Sequence, residues 1–210
     1  STATFYNAVS GLWRTTILLG GSPEQAAKWD AELTEFKFTG VFGLTEPDHG
    51  SDIAGGLAST AVRNGDTWTL NGAKRWIGGC SLVDNLAIFA RDEADGKVKA
   101  FIVPVDAPGI TLTKMQGKTA LRIMQNFDID IDNVTVSEEF RLQNINSFAD
   151  VAGLLRNMRS DVGWIGTGAQ AGAYEAAVSY VKQREQFGKP IASFQLIQEK
   201  LATMLANVTA

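Results

Sequence analysis

The sequence predicts an α+β fold in which a sheet region is set between helical segments, because the apolar period changes twice and turn pairs gather between the two changes. Residues 1–38 and 147–210 read as helical, and 39–146 as sheet.

In the first segment Phe5, Val9, Leu12, Trp13 and Ile17 fall near helical spacing until Gly20 and Gly21 end the run. A second helix follows. Ser22 has the residue type of an N-cap, Pro23 suits the first helical position, and Gln25 completes a capping-box spacing ahead of Trp29 and Leu33. From 39 to 142, short β-rich runs alternate with Asn64-Gly65, Asn71-Gly72, Asp95-Gly96 and Pro108-Gly109, each read as a turn. Trp68 and Leu70 alternate with Thr67 and Thr69, and Ile129 and Ile131 with Asp128, Asp130 and Asp132, the pattern of strands with one wet face. Beyond Ser147, a helical stripe runs through Leu154, Leu155, Met158, Val162 and Ile165. Its continuation carries Gly166, Gly168, Ala169, Gly172 and Ala173, small residues that favour close helix approach. Gly188 and Pro190 interrupt it before a last helix starts near Phe194.

Composition narrows the class without choosing a function. A chain of 210 residues, 45% hydrophobic and 20% charged, can bury the core of one large or two small domains. Its net charge of −4 gives no electrostatic reason to expect nucleic acid or an anionic membrane as partner. No apolar run approaches a membrane span and no signal peptide is evident, so membrane insertion is not expected. Cys80 is the sole cysteine, which excludes an intrachain disulfide and makes a reducing compartment the simpler reading; its expected role is a small buried residue. The lack of an initiator Met, with an opening already in helical pattern, leads to the expectation of a fragment.

Three constellations carry candidate chemistry. VFGLTEPDHGSD at 41–52 joins a short apolar strand to a compact turn. Phe42 and Leu44 give an apolar wall, Thr45 and Ser51 supply hydroxyls, and Gly50 leaves room at the backbone; this suits a flat anionic cofactor, and equally a plain surface turn. In RWIGG at 75–79, Trp76 alone also fits a buried ring closing a hairpin. In REQFG at 184–188, a guanidinium can pair with pyrophosphate oxygens, although a solvated helix end has the same composition. His49 reads as a turn residue, and Arg159 by itself as a surface arginine on an amphipathic helix.

Taken in order, GGSPEQAAKWDAEL (20–33), GLTEPDHGSD (43–52), LNGAKRWIGG (70–79) and REQFGKPIASFQLIQEKLATML (184–205) resemble the acyl-CoA dehydrogenase superfamily, in the manner of its glutaryl-CoA dehydrogenase and short-chain acyl-CoA oxidase branch. The resemblance covers nearly the whole chain. It implies an α+β architecture, a central antiparallel β-barrel or sheet flanked by parts of the N- and C-terminal helical domains, and FAD as cofactor. It assigns the flavin to Phe42, Leu44, Thr45, Gly50, Ser51, Trp76, Ile77 and Gly78, and, from a neighbouring subunit, to Arg184, Gln186, Phe187 and Gln195. Ser51 and Arg159 fall on positions associated with the acyl-CoA substrate. A homo-oligomer, tetramer or dimer, follows from the shared site. Gly78 stands where many members have a hydroxyl residue, which removes a side-chain hydrogen bond from the reactive flavin edge.

The implied reaction removes a proton next to a thioester carbonyl and passes hydride from the adjacent carbon to the flavin, so it needs a carboxylate base. This chain presents none at the family positions: Met158 precedes Arg159 where some members carry Glu, Tyr174-Glu175 lies in the wrong helix, and Asp161 has the wrong spacing. The expected activity is α,β-dehydrogenation of an acyl-CoA with electron-transfer flavoprotein as acceptor, the fragment by itself being inactive. The alternatives are an acyl-CoA oxidase using oxygen, which the segment LRIMQNFDID (121–130) also resembles, and a noncatalytic flavin or acyl-CoA module. The expected location is the cytoplasm in a bacterium, and the mitochondrial matrix or peroxisome in a eukaryote.

Overall fold

A computed structural model describes residues 11–210, so Phe5 and Val9 of the first expected helix lie outside the described residues. Its elements are α1 (Trp13–Gly20), α2 (Pro23–Thr34), β1 (Gly40–Gly43), α3 (Ile53–Gly56), β2 (Thr60–Asn64), β3 (Thr67–Gly78), β4 (Asn85–Asp92), β5 (Val98–Pro104), β6 (Ile110–Lys114), β7 (Asn126–Ser137), α4 (Phe148–Gln183), β8 (Glu185–Gln186), β9 (Lys189–Pro190) and α5 (Gln195–Thr209). The chain divides into two units, one ending at Met158 and one running from Arg159 to Ala210, with the border inside α4.

The seven-stranded sheet has the order β1-β4-β2-β3-β7-β6, with β5 on β4. It is antiparallel at β2–β3, β3–β7, β4–β5 and β6–β7, while β1 and β2 both run parallel to β4. β4 and β5 are buried on both faces, which is why they read as continuous apolar runs and not as alternating ones. Leu86, Ile88, Phe101 and Val103 join Trp68, Leu70, Phe127 and Ile129 in one core. Ala87, Phe89, Ala100 and Ile102 join Trp13, Ile17, Trp29, Leu154 and Met158 in the other. Phe89 and Phe101 are fully buried; a side chain of that size contributes on the order of 1.5–3 kcal/mol on burial.

The helices dock where the sequence gives them anchors. The capping box at α2 is formed, Gln25 N–H donating to Ser22 Oγ at 3.2 Å and Ser22 N–H to Gln25 Oε1 at 2.9 Å. The Gln25 amide also donates to the carbonyls of Glu139 and Arg141 at 2.9 and 2.8 Å, and Asn144 donates to Gly20 O and Gly21 O at 2.8 and 2.6 Å. The residues that lead into the sheet therefore bond to those that leave it. Trp13 lies flat on Gly40, where any Cβ would fall 2.5 Å from its ring.

Three of the four expected turns occur between strands, with left-handed Gly65, Gly96 and Gly109. Asn71-Gly72 is a correction: it lies inside the 12-residue β3, beside an irregularity between Leu70 and Gly72. The additional residue there belongs to β7, where Asn133 has φ 50° and donates its N–H to Asn71 Oδ1 at 2.8 Å. A second irregularity, between Lys74 and Ile77, places its additional residue in β3, and Trp76 adopts φ 66°. The apolar stripe expected beyond Ser147 lies along the single helix α4. Leu154 and Met158 are buried, while Val162 is 68% exposed, and beyond the helix's own backbone a Cβ built on Gly166, Gly168 or Gly172 meets no heavy atom within 4 Å.

Candidate functional site

β1 delivers Phe42 against Phe89, ring centroids 4.7 Å apart, and buries Leu44. The following loop closes on itself through Glu46 N–H donating to His49 O at 3.0 Å, and His49 Nδ1 meets Asp52 Oδ2 at 2.9 Å. That bond from His49 holds the exposed Asp52 carboxyl below its usual range. Gly50 and Ser51 are exposed, and a Cβ on Gly50 would touch only Thr45 Cγ2, at 3.9 Å.

This loop is fixed to β3 by a buried ion pair that the residue pattern did not announce. Lys74 Nζ donates to Glu46 Oε1 at 2.7 Å, Phe89 O at 2.6 Å and Leu44 O at 3.4 Å, so all three of its protons have acceptors. Glu46 also accepts from the N–H groups of Ala58 and Ser59 at 2.7 and 3.0 Å. The two side chains are 0% and 4% exposed. Burial pushes the Lys74 ammonium down to about 8 against the pull of Glu46. At Glu46 burial acts to raise the carboxyl, but Lys74, with smaller help from Ser59 and the Ala58 N–H, outweighs it and holds the group below the usual range. With every donor satisfied, the geometry supports a charged pair at neutral pH. The detectable signal was parity. Lys74 sits an even number of residues beyond Trp68 and Leu70, on the inward face of β3.

One residue further on, Arg75 N–H donates to Thr45 O at 2.9 Å, so the loop and the RWIGG segment are directly joined. Trp76 is 54% exposed, which removes the buried-hairpin reading, and Arg75 lies over its ring at 5.7 Å. Ile77 is turned into the core at 5% exposure, and its carbonyl accepts from Cys80 Sγ at 3.6 Å. Beside Gly78, a Cβ would lie 3.0 Å from Met124 Sδ and 3.5 Å from Asn126 Nδ2. A cleft of about 370 Å³ runs from Trp76 along residues 115–120. A larger one, about 540 Å³ at Leu19, Asn144 and Arg156, contains no motif residue.

The remaining candidates lie in the second unit. Arg159 is exposed on α4, and Met158 before it is packed in the core of the first unit. Arg184 leads into a two-stranded hairpin, β8 on β9, turned by Phe187 at φ 54° and Gly188 at φ 74°. Phe187 is 92% exposed and meets Phe194 edge-on at 5.9 Å, and Lys189 stands 4.6 Å over the Phe194 ring. Gln186 donates to Glu185 O at 2.6 Å, and Gln195 opens α5 exposed. Cys80 is buried and burial pushes its thiol up to about 12, in keeping with a packing role. Among the described residues, no group of three or more His, Cys, Asp or Glu could hold a metal ion, and no helix is long and apolar enough to cross a membrane.

A sheet clasped by helices, with two motif segments joined at its rim, is the frame of one class of α+β protein. The middle-domain model of acyl-CoA dehydrogenase matches residues 41–134, and the C-terminal-domain model matches 148–210. The chain belongs to the acyl-CoA dehydrogenase family. It is 36% identical to glutaryl-CoA dehydrogenase of Desulfococcus multivorans over 93% of this chain and 51% of that one. It is 37% identical to a subunit of the caffeyl-CoA reductase-Etf complex of Acetobacterium woodii over 92% of this chain and 52% of that one. Among solved structures, a glutaryl-CoA dehydrogenase from Mycobacterium smegmatis in complex with FADH2 superposes with a TM-score of 0.83 at 33% identity, over 94% of this chain and 50% of that one. The chain spans about half the length of the curated relatives it matches.

Proposed function

We propose that this chain forms part of an FAD-dependent enzyme that introduces an α,β double bond into an acyl-CoA thioester. The observation that carries the reading is the junction of the two motif segments: Arg75 N–H on Thr45 O, backed by Lys74 on Glu46, unites the 42–51 loop with Trp76–Gly78 in one rim. That rim offers what a flavin needs: an exposed aromatic ring at Trp76, exposed Ser51, and an open approach at Gly50. Phe42, Leu44, Thr45, Gly50, Ser51, Trp76, Ile77 and Gly78 would hold the FAD of their own subunit. In a homo-oligomer, Arg184, Gln186, Phe187 and Gln195 would reach the FAD of a neighbour, with the Arg184 guanidinium on the pyrophosphate.

When bound, FAD supplies the hydride acceptor. The chain's own part is to seat it, to keep the rim in register through Lys74 and Glu46, and to bind acyl-CoA through Ser51 and Arg159. Hydrogen bonds aimed at the thioester carbonyl would acidify the neighbouring proton. No base is assigned to this chain, because Met158 occupies the earlier family position and is packed in the core. Residues 1–38, 39–146 and 147–210 are read as the end of a helical domain, the sheet domain and the start of a helical bundle. Electron-transfer flavoprotein is the proposed acceptor, in line with the relative named as part of an Etf complex. The proposed location is the cytoplasm of a bacterium, or the mitochondrial matrix or peroxisome of a eukaryote.

Gly78 favours a second reading, an oxidase, because no side-chain hydroxyl is available there to the flavin edge. Anaerobic titration of protein expressed from the complete coding sequence, with a panel of acyl-CoA thioesters, should bleach the oxidised flavin band. A band that persists with bound FAD rejects both readings. Rapid oxygen consumption during turnover selects the oxidase.

A further inference from the structure

The pairing between β3 and β7 skips at Lys74–Ile77, so Trp76 has no register partner in β7. Its carbonyl accepts from Asn126 Nδ2 at 2.7 Å. The orientation of that amide is dictated by its other neighbour, since Asn126 Oδ1 accepts from Lys118 Nζ, and an ammonium can only donate. With Lys118 on one side and a carbonyl on the other, a flipped amide would face a donor with a donor. Lys118 Nζ also donates to Met124 O at 2.6 Å and Leu121 O at 3.2 Å, so its three protons are all engaged in fixing one loop. Met124 is buried at 7% exposure and brings its thioether against Gly78. One cation thus controls both flanks of the rim: the Trp76 carbonyl through Asn126, and the space beside Gly78 through Met124.

We propose that Lys118 is a positioning residue that sets the Trp76–Gly78 segment for flavin, acting through the Asn126 amide. The inference rests on the flavin reading above for its consequence, but not for its geometry. It separates from a simple loop-holding role at Asn126. Asn126→Asp keeps and strengthens the acceptor for Lys118, so the loop stays pinned, but it removes the donor to Trp76 O and sets a carboxylate against that carbonyl.

In protein expressed from the complete coding sequence, Lys118→Met, Asn126→Asp and wild type should be compared by hydrogen exchange of residues 74–79 without flavin, by FAD titration, and by the urea midpoint. Both variants are expected to exchange at least tenfold faster at 74–79 and to bind FAD about tenfold more weakly, with an altered visible flavin band, while Asn126→Asp keeps a near-wild-type midpoint. If exchange at 74–79 is unchanged in Asn126→Asp, Lys118 does not act through the amide and the proposal is overturned. Faster exchange with unchanged FAD affinity and spectrum in both variants also overturns it. If wild type itself takes up no FAD while both variants loosen 74–79, the flavin reading fails and the coupling of Lys118 to Trp76 stands.

Discussion

The outer end of β3 and the β8–β9 hairpin both carry residues proposed for FAD, and they are held by opposite means. At β3, Lys74 and Glu46 are buried against each other, Thr45 is bonded to Arg75, and Asn126 grips Trp76. At the hairpin, Arg184, Gln186 and Phe187 are exposed, and the backbone turn is the main restraint. The first set is preorganised by its own chain. The second leaves its side chains for another molecule, so damage there should register in binding and not in stability.

Substitutions can break that contrast, and the largest effect belongs to Lys74. Lys74→Met strands a buried carboxylate and should lower stability by about 3–5 kcal/mol in urea denaturation. Adding Glu46→Leu should recover only part of it, because the Ala58 and Ser59 N–H groups then lose their acceptor. The pair also predicts pH limbs. Glu46 has its folded pKa lowered from 4.5, so its contribution is complete above 4.5 and is lost as pH falls through the folded value; Glu46→Gln should flatten that limb. For Lys74, between about 8 and 10.5 the unfolded chain holds a proton that the folded chain has released, so stability rises with pH across that window, and Lys74→Met removes the rise.

Gly72→Ala comes next. Its Cβ would lie 2.7 Å from Ser59 Cα at φ 146°, and the strain should amount to about 1–3 kcal/mol by thermal or urea denaturation. Asn71→Ala deletes the acceptor for Asn133 N–H and should lower stability by about 1 kcal/mol. Arg184→Ala should stay within about 0.5 kcal/mol of wild type in stability. If the site is shared between subunits, it should nevertheless weaken FAD retention at least tenfold, and mixing it with a Ser51→Ala chain should restore part of the binding in hybrids. Unchanged FAD affinity would return Arg184 to an ordinary solvated helix end.

The elements that local chemistry decides were legible. Ser22, Pro23 and Gln25 spell the start of α2 without tertiary help, and alternation at Trp68–Leu70 and Ile129–Ile131 gives the inward faces of β3 and β7. Alternation fails at the two irregularities. An additional residue near Asn133 turns β7 from odd to even inward positions, and one near Trp76 turns β3 from even to odd, so a Trp that parity would bury is exposed and Ile77 takes its place. Asn71-Gly72 misled because a glycine at positive φ also occurs inside a strand where the pairing is irregular, here opposite the additional residue at Asn133. Parallel pairing of β1 and β2 with β4 depends on contacts distant in sequence, to which short-range patterns are blind. Lys118 gave no signal at all, since a lysine in a loop normally reads as solvated.

The seam between Gly20–Gln25 and Glu139–Asn144 has a bearing on how such chains diversify. Because the strand-bearing segment enters and leaves through neighbouring backbone bonds, its two ends are stapled side by side, like an insert spliced into a helical frame. Hairpins and rim loops outside the core it shares with the helices can lengthen or shorten without altering the distance its host helices must bridge. Gln25, a helix cap, and Asn144 together make the block self-closing.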